Sequence, residues 1–315
     1  MSKSAILLLG IGLLVGVVPQ AGFSRAEKPR VVVCSGSQES FKEAAEALRE
    51  SLESKGFDCI VVNISDDAGA QARTESLRMI SHAAPDWIAA TGSDVYAWAA
   101  KSFPSVPIVF LMIPNAKDVF AGPSPEPIGV TSDINPDDWM KWIKLTHPSV
   151  SNICILHSDR TQRTVAEFVR AAAKVHLHIQ PIHAVSDDFA NAVNELSSAQ
   201  SDGVLMIPDA RVFNGPNIQR LLLWGIRTKK PVWGFSQKIA KAGAISSLYA
   251  NNRDVGRQTA DLIVELKDKP SQGLHGVEYP HTASRAVNIR TAELIGITLP
   301  ADVLSTLNVR FGEVP

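Results

Sequence analysis

The chain has 315 residues, of which 45% are hydrophobic and 20% charged, and its formal net charge is −1. This length exceeds a typical domain of about 150 residues, so we expect two compact units or one large one. The near balance of charge and the absence of a basic cluster argue against nucleic acid as a partner. No polybasic face for a membrane surface is evident either.

The amino terminus has the pattern of an export signal. Lys3 precedes an apolar run from Ala5 to Val18, and the segment ends with the small residues Ser24 and Ala26. The run is shorter than the roughly 20 residues that span a bilayer. We therefore predict a signal peptide at 1–26 and a periplasmic protein. No Cys lies near the cleavage point to carry a lipid, and an uncleaved amphiphilic anchor is the alternative.

Three cysteines, Cys34, Cys59 and Cys154, lie inside apolar runs. A free Cys in such a setting behaves as a small buried hydrophobe, so we expect all three in the core. The alternative is a disulfide between Cys34 and Cys59, which requires that their strands are neighbours.

Short β-branched runs alternate with amphipathic helical stretches, which is typical of βαβ units around parallel sheets. In the first series the predicted strands are 30–34, 58–63, 86–90 and 108–112, and the predicted helices are 40–55, 67–83 and 95–101. The segment from Asn115 to Pro127 is rich in Gly and Pro and is predicted as a loop. It leads into a crossover near 128–133.

A second series begins with a helix after Asn135. Asn can cap a helix, Pro136 fits the first turn, and Asp137 and Asp138 face the positive end of the helix dipole. The elements predicted to follow are strands 152–157, 177–183, 203–207 and 231–235 and helices 161–175, 187–198 and 218–227.

The two series end alike, which indicates a weak internal duplication. Two open sheets in tandem present loops at the carboxyl ends of their strands and predict a cleft between two lobes. We expect an α/β fold of two Rossmann-like lobes joined by a three-strand hinge, with connections near 128–133, 246–249 and 270–285. The predicted boundaries are 27–132 plus about 250–272 for the first lobe and 133–249 plus about 273–315 for the second.

The common catalytic and cofactor signatures are missing. The glycines within Gly10 to Gly16 lie in the apolar signal and have the wrong spacing for a dinucleotide fingerprint. His176, His178 and His183 have no Cys or carboxylate at ligand spacing, so we interpret them as polar strand-edge residues. No metal, no cofactor and no catalytic residues are expected, and the chain is not expected to be an enzyme.

Small hydroxylated and polar residues follow directly after several strands. Such turns let backbone amides approach a solute closely and offer short hydrogen bonds. Ordinary turn and cap chemistry is the alternative for each turn taken alone. Their shared position at the switch-point edges of two sheets favours a ligand site made of Ser35, Ser37, Thr91, Gly92, Ser93, Asn115, Ser158, Asp209 and Arg211.

Several stretches, spread over most of the chain, carry a family resemblance. They are 129–134 (Gly-Val-Thr-Ser-Asp-Ile), Leu145 and Pro148 before 153–156 (Ile-Cys-Ile-Leu), 242–244 (Ala-Gly-Ala), 256–260 (Gly-Arg-Gln-Thr-Ala) and 287–300. Together they resemble the ABC-transporter substrate-binding family that includes tryptophan- and tyrosine-binding members. The resemblance implies a type I periplasmic binding fold that delivers a small solute to a membrane permease.

The resemblance also implies roles for particular turns. The turns after the third and fourth strands of the first lobe would hold the polar end of the solute, here Thr91 to Ser93 and Met112 to Asn115. Asp209 would accept a hydrogen bond from an amine. Many family members carry Asp-Pro or Asn-Pro where this chain has Asn115-Ala116.

We expect closure of the two lobes around the solute. Phe213, Phe235 and Tyr249 would surround it, and Arg211 would face a carboxylate, which suits a zwitterion such as an amino acid. The expected partners are this solute and the membrane permease, and the protein is expected to be a monomer. Two alternatives stay open: a ligand-sensing periplasmic subunit of a signalling system, and a periplasmic enzyme on a similar scaffold.

Overall fold

The computed structural model describes residues 28–64, 70–122, 127–268 and 276–312. The signal peptide predicted at 1–26 lies outside these residues. No helix among the described residues is long and apolar enough to cross a membrane.

The first sheet has six parallel strands in the order β11-β5-β4-β3-β1-β2. Buried β-branched side chains dominate its central strands, as expected for a sheet covered on both faces. The strands are β1 Arg30–Ser35, β2 Asp58–Asn63, β3 Trp87–Thr91, β4 Ile108–Ile113, β5 Ile128–Thr131 and β11 Val277–Glu278.

Five helices belong to the first lobe: α1 Glu39–Ser54, α2 Ala70–Ala83, α3 Gly92–Ser102, α4 Ala116–Val119 and α10 Asn252–Asp268. Helices α1 and α10 pack closely, because a Cβ on Gly256 would lie 2.2 Å from the Ala44 carbonyl oxygen. Only glycine permits that approach. The return of α10 to this lobe places residues after 250 in the first lobe.

The second sheet has seven strands in the order β13-β12-β10-β9-β8-β6-β7, and β12 runs antiparallel to β10. Its strands are β6 Asn152–His157, β7 His178–His183, β8 Gly203–Leu205, β9 Val232–Gly234, β10 Ser246–Tyr249, β12 Ser284–Asn288 and β13 Val309–Phe311. Its helices are α5 Pro136–Thr146, α6 Gln162–Ala173, α7 Phe189–Ser198, α8 Gly215–Thr228, α9 Gln237–Ala242, α11 Ile289–Ile295 and α12 Ala301–Ser305.

Three connections join the two sheets, from β5 to α5, from β10 to α10 and from β11 to β12. The predicted two-lobed α/β class is confirmed. Strand β11 pairs with β5 in the first sheet, so the third connection comes after Glu278. The lobe boundary predicted at about 272 lies outside the described residues.

The loop predicted from Asn115 to Pro127 contains a short helix that the sequence analysis missed. Asn115 adopts a left-handed conformation with φ 49°, and α4 starts directly after it. Phe120, which ends α4, packs at 5.0 Å from Tyr96 and 5.1 Å from Phe110. Tertiary packing of one aromatic ring therefore orders a segment whose composition predicts a loop.

All three cysteines are free, and Cys34 and Cys154 are buried. Strands β1 and β2 are neighbours, but their register places Cys34 beside Val62 and Cys59 beside Val31. The two thiols are therefore offset along the sheet and do not form the pair that the sequence left open.

Candidate functional site

The carboxyl ends of both sheets border one open cleft, made of two adjoining cavities of about 380 and about 420 Å³. The cavities share Ser93 and Pro114, and the second has walls from both lobes. A cavity of about 640 Å³ at the opposite edge of the first sheet has walls from one lobe only, so it does not meet the geometry of a cleft site.

The first-lobe wall is polar and is built by the turns after β1 and β3. The Thr91 hydroxyl accepts a 2.8 Å hydrogen bond from the Gly36 amide, which ties the two turns together. Thr91 therefore does not cap α3, and Gln38 does not cap α1 with its side chain. Two helix N-termini at this wall keep amide groups without a side-chain cap, and such amides favour an anionic group.

Phe41 supports this wall from behind. Its ring approaches Gly36 and Gly92, where an added Cβ would lie 2.7 Å and 2.9 Å from ring atoms. Gly92 also has φ +74°, a conformation that side chains rarely adopt. The predicted residues Ser37, Thr91, Gly92 and Ser93 all line the cleft here.

The second-lobe wall is organised by Asp209. Its Oδ2 accepts hydrogen bonds from the Ser158 amide at 2.9 Å, the Ser158 hydroxyl at 2.8 Å and the Thr161 hydroxyl at 2.8 Å. Its Oδ1 accepts from the Arg211 amide at 2.9 Å. Although Asp209 lines the cleft, its carboxylate is already engaged by four protein donors, and it holds the turns after β6 and β8 together.

The exposed part of the second wall is cationic and apolar. Arg211 lines the cleft, as predicted, together with Arg160, which the sequence analysis missed. Arg160 lies three residues after β6, in the same turn as the predicted residue Ser158, and that position is the sequence signal that could have identified it. Phe213 and Phe235 line the same cavity, with their ring centroids 6.5 Å apart. Across the cleft Val119, also missed, is 50% exposed.

Asn115 joins the two lobes across the end of the cleft. Its amide donates a 2.5 Å hydrogen bond to Oδ2 of Asp133, and its side-chain Nδ2 donates to the Pro208 carbonyl of the second lobe. Asp133 also accepts from the Thr131 hydroxyl at 2.9 Å. Asp133 was treated in the sequence as part of a crossover, and no local pattern distinguishes it from a structural residue.

Three predicted residues do not line either cavity of the cleft. Ser35 is buried and donates to the Gly36 carbonyl at 3.1 Å, and Ser158 is buried beneath Asp209. Tyr249 ends β10 and pairs with Ser284 at the hinge, where burial raises the pKa of its hydroxyl. The aromatic residues of the second lobe that line the cleft are therefore Phe213 and Phe235, and not Tyr249.

Helix α4 of the first lobe lies against α6 of the second. The Asp118 carboxylate accepts from the Arg163 amide at 2.8 Å, the Thr164 amide at 2.9 Å and the Thr164 hydroxyl at 2.6 Å. It therefore caps α6 from the other lobe, in the position where α6 has no cap of its own. Lys117 adds an ion pair with Glu167 at 2.6 Å.

The residues that the structure describes hold no group of three or more His, Cys, Asp and Glu side chains arranged for a metal ion. His178 and His183 are exposed on β7, which is the edge strand of the second sheet. His183 lies 3.3 Å from Asp159.

The sequence model of ABC transporter substrate binding proteins matches residues 31–308. The chain belongs to this family. The predicted family resemblance is thereby confirmed, and members of this family bind small ligands for ABC transporters. No curated protein is matched by sequence.

Solved substrate-binding structures share the fold at low sequence identity. The ABC domain from Streptococcus pneumonia in complex with L-Trp is 16% identical, with a TM-score of 0.62, covering 90% of this chain and 100% of that one. The ligand-free, open CD0873 of Clostridium difficile, a substrate binding protein with adhesive properties, is 13% identical, with a TM-score of 0.69 and coverage of 91% and 100%. A conserved domain protein of Vibrio cholerae is 19% identical, with a TM-score of 0.61 and coverage of 90% and 99%.

Proposed function

We propose that this substrate-binding protein is the periplasmic component of an ABC importer. It captures a small solute with a carboxylate and an apolar side chain, an amino acid, and presents it as a monomer to a membrane permease. The observation that carries the proposal is the pairing of two different walls across one cleft. The first offers uncapped helix amides and hydroxyl groups, and the second offers two guanidinium groups beside aromatic rings.

The carboxylate of the solute fits between the walls. Amides at a helix N-terminus and an Arg fork both favour a carboxylate, and the two kinds of group face the cleft from opposite lobes. Arg160 and Arg211 are exposed and lie close to the turns that Asp209 holds. The apolar side chain would then lie against Phe213, Phe235 and Val119. An amino acid is also the ligand of one solved relative, which contains L-Trp.

Binding on both walls gives the solute a way to favour the closed arrangement. A permease distinguishes loaded from empty protein only if the solute binds the closed form more tightly. A shift from 1:99 to 99:1 requires about 5.5 kcal/mol of differential affinity. Contacts made with one lobe alone cannot supply it, which is why the placement of binding groups on both lobes supports transport.

Among the described residues that line the cleft, the charged ones are Asp94, Arg160, Asp209 and Arg211. The hydroxyl–carboxylate pair there, Thr161 with Asp209, belongs to the hydrogen bonds that hold two turns together. Asp209 is satisfied by four protein donors. This supports capture without turnover. Mass spectrometry of a bound solute after long incubation tests the point, and a chemically altered solute would contradict it.

A thermal-shift screen of the chain from residue 27 against amino acids, peptides, nucleosides and sugars tests the proposed ligand class. A solute at 100 times its dissociation constant adds about 2.7 kcal/mol of stability. We expect stabilisation by one group of apolar or aromatic amino acids. Stabilisation by sugars or nucleosides alone would contradict the amino-acid assignment. Permease and ATPase genes beside the gene of this protein would support transport over a sensing role.

A further inference from the structure

A small, partly open cavity of about 20 Å³ adjoins the second wall of the cleft. Pro208 and Phe235 line both this cavity and the second cavity of the cleft, and Ser132 lines both this cavity and the first, so the spaces adjoin. The other walls are mainly apolar, and Asp133 is the one acidic residue among the lining side chains, which also include Ser132, Ile134, Trp139, Thr164, Phe168, Met206, Ile207 and Leu248.

Two buried acceptor oxygens near this cavity have no hydrogen-bond partner, Oδ1 of Asp133 and Oδ1 of Asn115. The two residues are joined by the 2.5 Å bond from the Asn115 amide to Asp133 Oδ2. The Pro208 carbonyl accepts from Asn115 Nδ2, which fixes the orientation of that side-chain amide. Both unpartnered atoms accept hydrogen bonds, so a ligand group that binds them supplies a donor.

The charges around Asp133 favour a positively charged donor over a neutral one. The pKa of Asp133 is raised to about 6, mainly by burial and to a smaller extent by the carboxylates of Asp118 and Glu167, against the lowering effect of the hydrogen bonds from Thr131 and Asn115. The nearby cation Lys117 is already paired with Glu167 at 2.6 Å. A cation in the cavity would compensate the buried negative charge of Asp133, whose hydrogen-bond donors among the described residues, Thr131 and Asn115, are uncharged.

The size of the cavity limits the donor to one small group. About 20 Å³ accommodates a single water-sized centre. A primary ammonium group has that size, three donors and a positive charge, whereas a guanidinium group or a choline head is too large.

We propose that Asp133 and Asn115 bind the primary ammonium group of the solute and thereby select amino acids over acids that lack the amine. The inference rests on the proposed function of the cleft as an amino-acid site. It assigns the amine to Asp133, whose Oδ1 is unpartnered, and not to Asp209, whose carboxylate accepts four protein hydrogen bonds.

The test is isothermal titration of the chain from residue 27 with L-leucine, L-phenylalanine, L-tyrosine and L-tryptophan, each paired with its 2-hydroxy acid. We expect the wild-type protein to prefer the amine in the binding pair by about 100-fold or more, because loss of one partner of a buried charge pair costs several kcal/mol. In Asp133→Asn the preference should fall to a few-fold, while the hydroxy acid keeps its affinity. Asp138→Asn, exposed on α5 and outside both cavities, is the matched control and should keep the full preference.

Three results would overturn the inference: equal affinity of the wild type for amine and hydroxy acid, full preference in Asp133→Asn, or loss of preference in Asp209→Asn alone. Each of these leaves the proposed function intact, because a solute still binds. Failure of every solute in the thermal-shift screen would overturn the proposed function and this inference with it.

A crystal structure with solute adds a second measurement. A solute nitrogen within about 3 Å of Asp133 Oδ1 is expected, and a water molecule there with the amine elsewhere would contradict the assignment.

Discussion

Both walls of the cleft are built from turns that place polar residues directly after strands, yet the two walls use their polar groups differently. In the second lobe the caps are formed within the protein: Ser158 accepts from the Arg160 amide, Asn214 caps α8 and Ser236 caps α9. In the first lobe Thr91 and Gln38 leave α3 and α1 without side-chain caps. The comparison teaches that the second wall is held rigid by its own hydrogen bonds, while the first retains donors for a ligand.

The largest expected effect is on the rigid wall. Asp209→Ala leaves the Ser158 amide and hydroxyl, the Thr161 hydroxyl and the Arg211 amide without their acceptor. Buried donors without partners are costly, so we expect a loss of about 4 kcal/mol in the free energy of unfolding by urea. Asp138→Ala, at an exposed site on α5, should change it by no more than about 0.5 kcal/mol. A loss below about 1 kcal/mol in Asp209→Ala would show that the second wall does not depend on this carboxylate.

A second prediction concerns the pH dependence of the free energy of unfolding, through His147 of the second lobe. Burial lowers the pKa of His147 from 6.5 to about 4. As the pH falls, His147 is therefore protonated in the unfolded chain at a higher pH than in the folded protein. The folded state is fully stable in this respect above pH 6.5 and loses stability between pH 6.5 and about 4. At 1.36 kcal/mol per unit the loss is about 3 kcal/mol. The raised pKa of Asp133 acts in the opposite direction between pH 6 and 3.8, because the folded state binds that proton more tightly.

Urea unfolding of the unliganded protein at several pH values between 7 and 4 measures this dependence. Comparison with His147→Gln isolates the histidine, since Asp133 is present in both proteins. We expect the variant to be less stable at pH 7 and to lose less stability on acidification. Parallel pH profiles of the two proteins would contradict the assignment.

A third prediction concerns the wall with free donors. In Gly92→Ala the new Cβ would lie 2.9 Å from the Phe41 ring, so the ring must shift into the wall. We expect a loss of about tenfold in solute affinity, or about 1.4 kcal/mol, by titration calorimetry. Gly56→Ala is the matched control, because Gly56 also has a positive φ but no atom within 4 Å of the added Cβ. An equal loss of affinity in both variants would mean that backbone strain, and not the wall, is responsible.

The smallest expected effect lies where the lobes meet. Asp118→Ala removes the cap that the first lobe provides to α6, and loss of a helix cap costs about 1 kcal/mol. Asp118→Asn keeps an acceptor and should retain most of that stability in thermal unfolding. If both variants unfold like the wild type, the contact between α4 and α6 contributes nothing to this arrangement of the lobes.

The sequence predicted the fold well because the hydrophobic periodicity and the Gly and Pro positions are local signals. The elements up to residue 235 and the three connections followed from them, except α4, which depends on packing of Phe120 against Tyr96 and Phe110. The helices and strands after residue 235, other than β10, were not predicted individually. The roles of polar residues depend on partners far along the chain. Ser158 and Asp209 are 51 residues apart, and Gly36 and Thr91 are 55 apart. The local sequence of a turn therefore does not determine which of its oxygen atoms accepts a hydrogen bond from a residue far along the chain.

In the proposed function a small solute binds between the two lobes and contacts both walls. A crystal structure with the solute found in the thermal-shift screen would show these contacts. We expect the solute carboxylate between the amides around Ser93 and the guanidinium groups of Arg160 and Arg211, with the solute side chain against Phe235. A solute bound to one lobe only, or in the cavity beside Lys28 and Asp86 at the far edge of the first sheet, would contradict it.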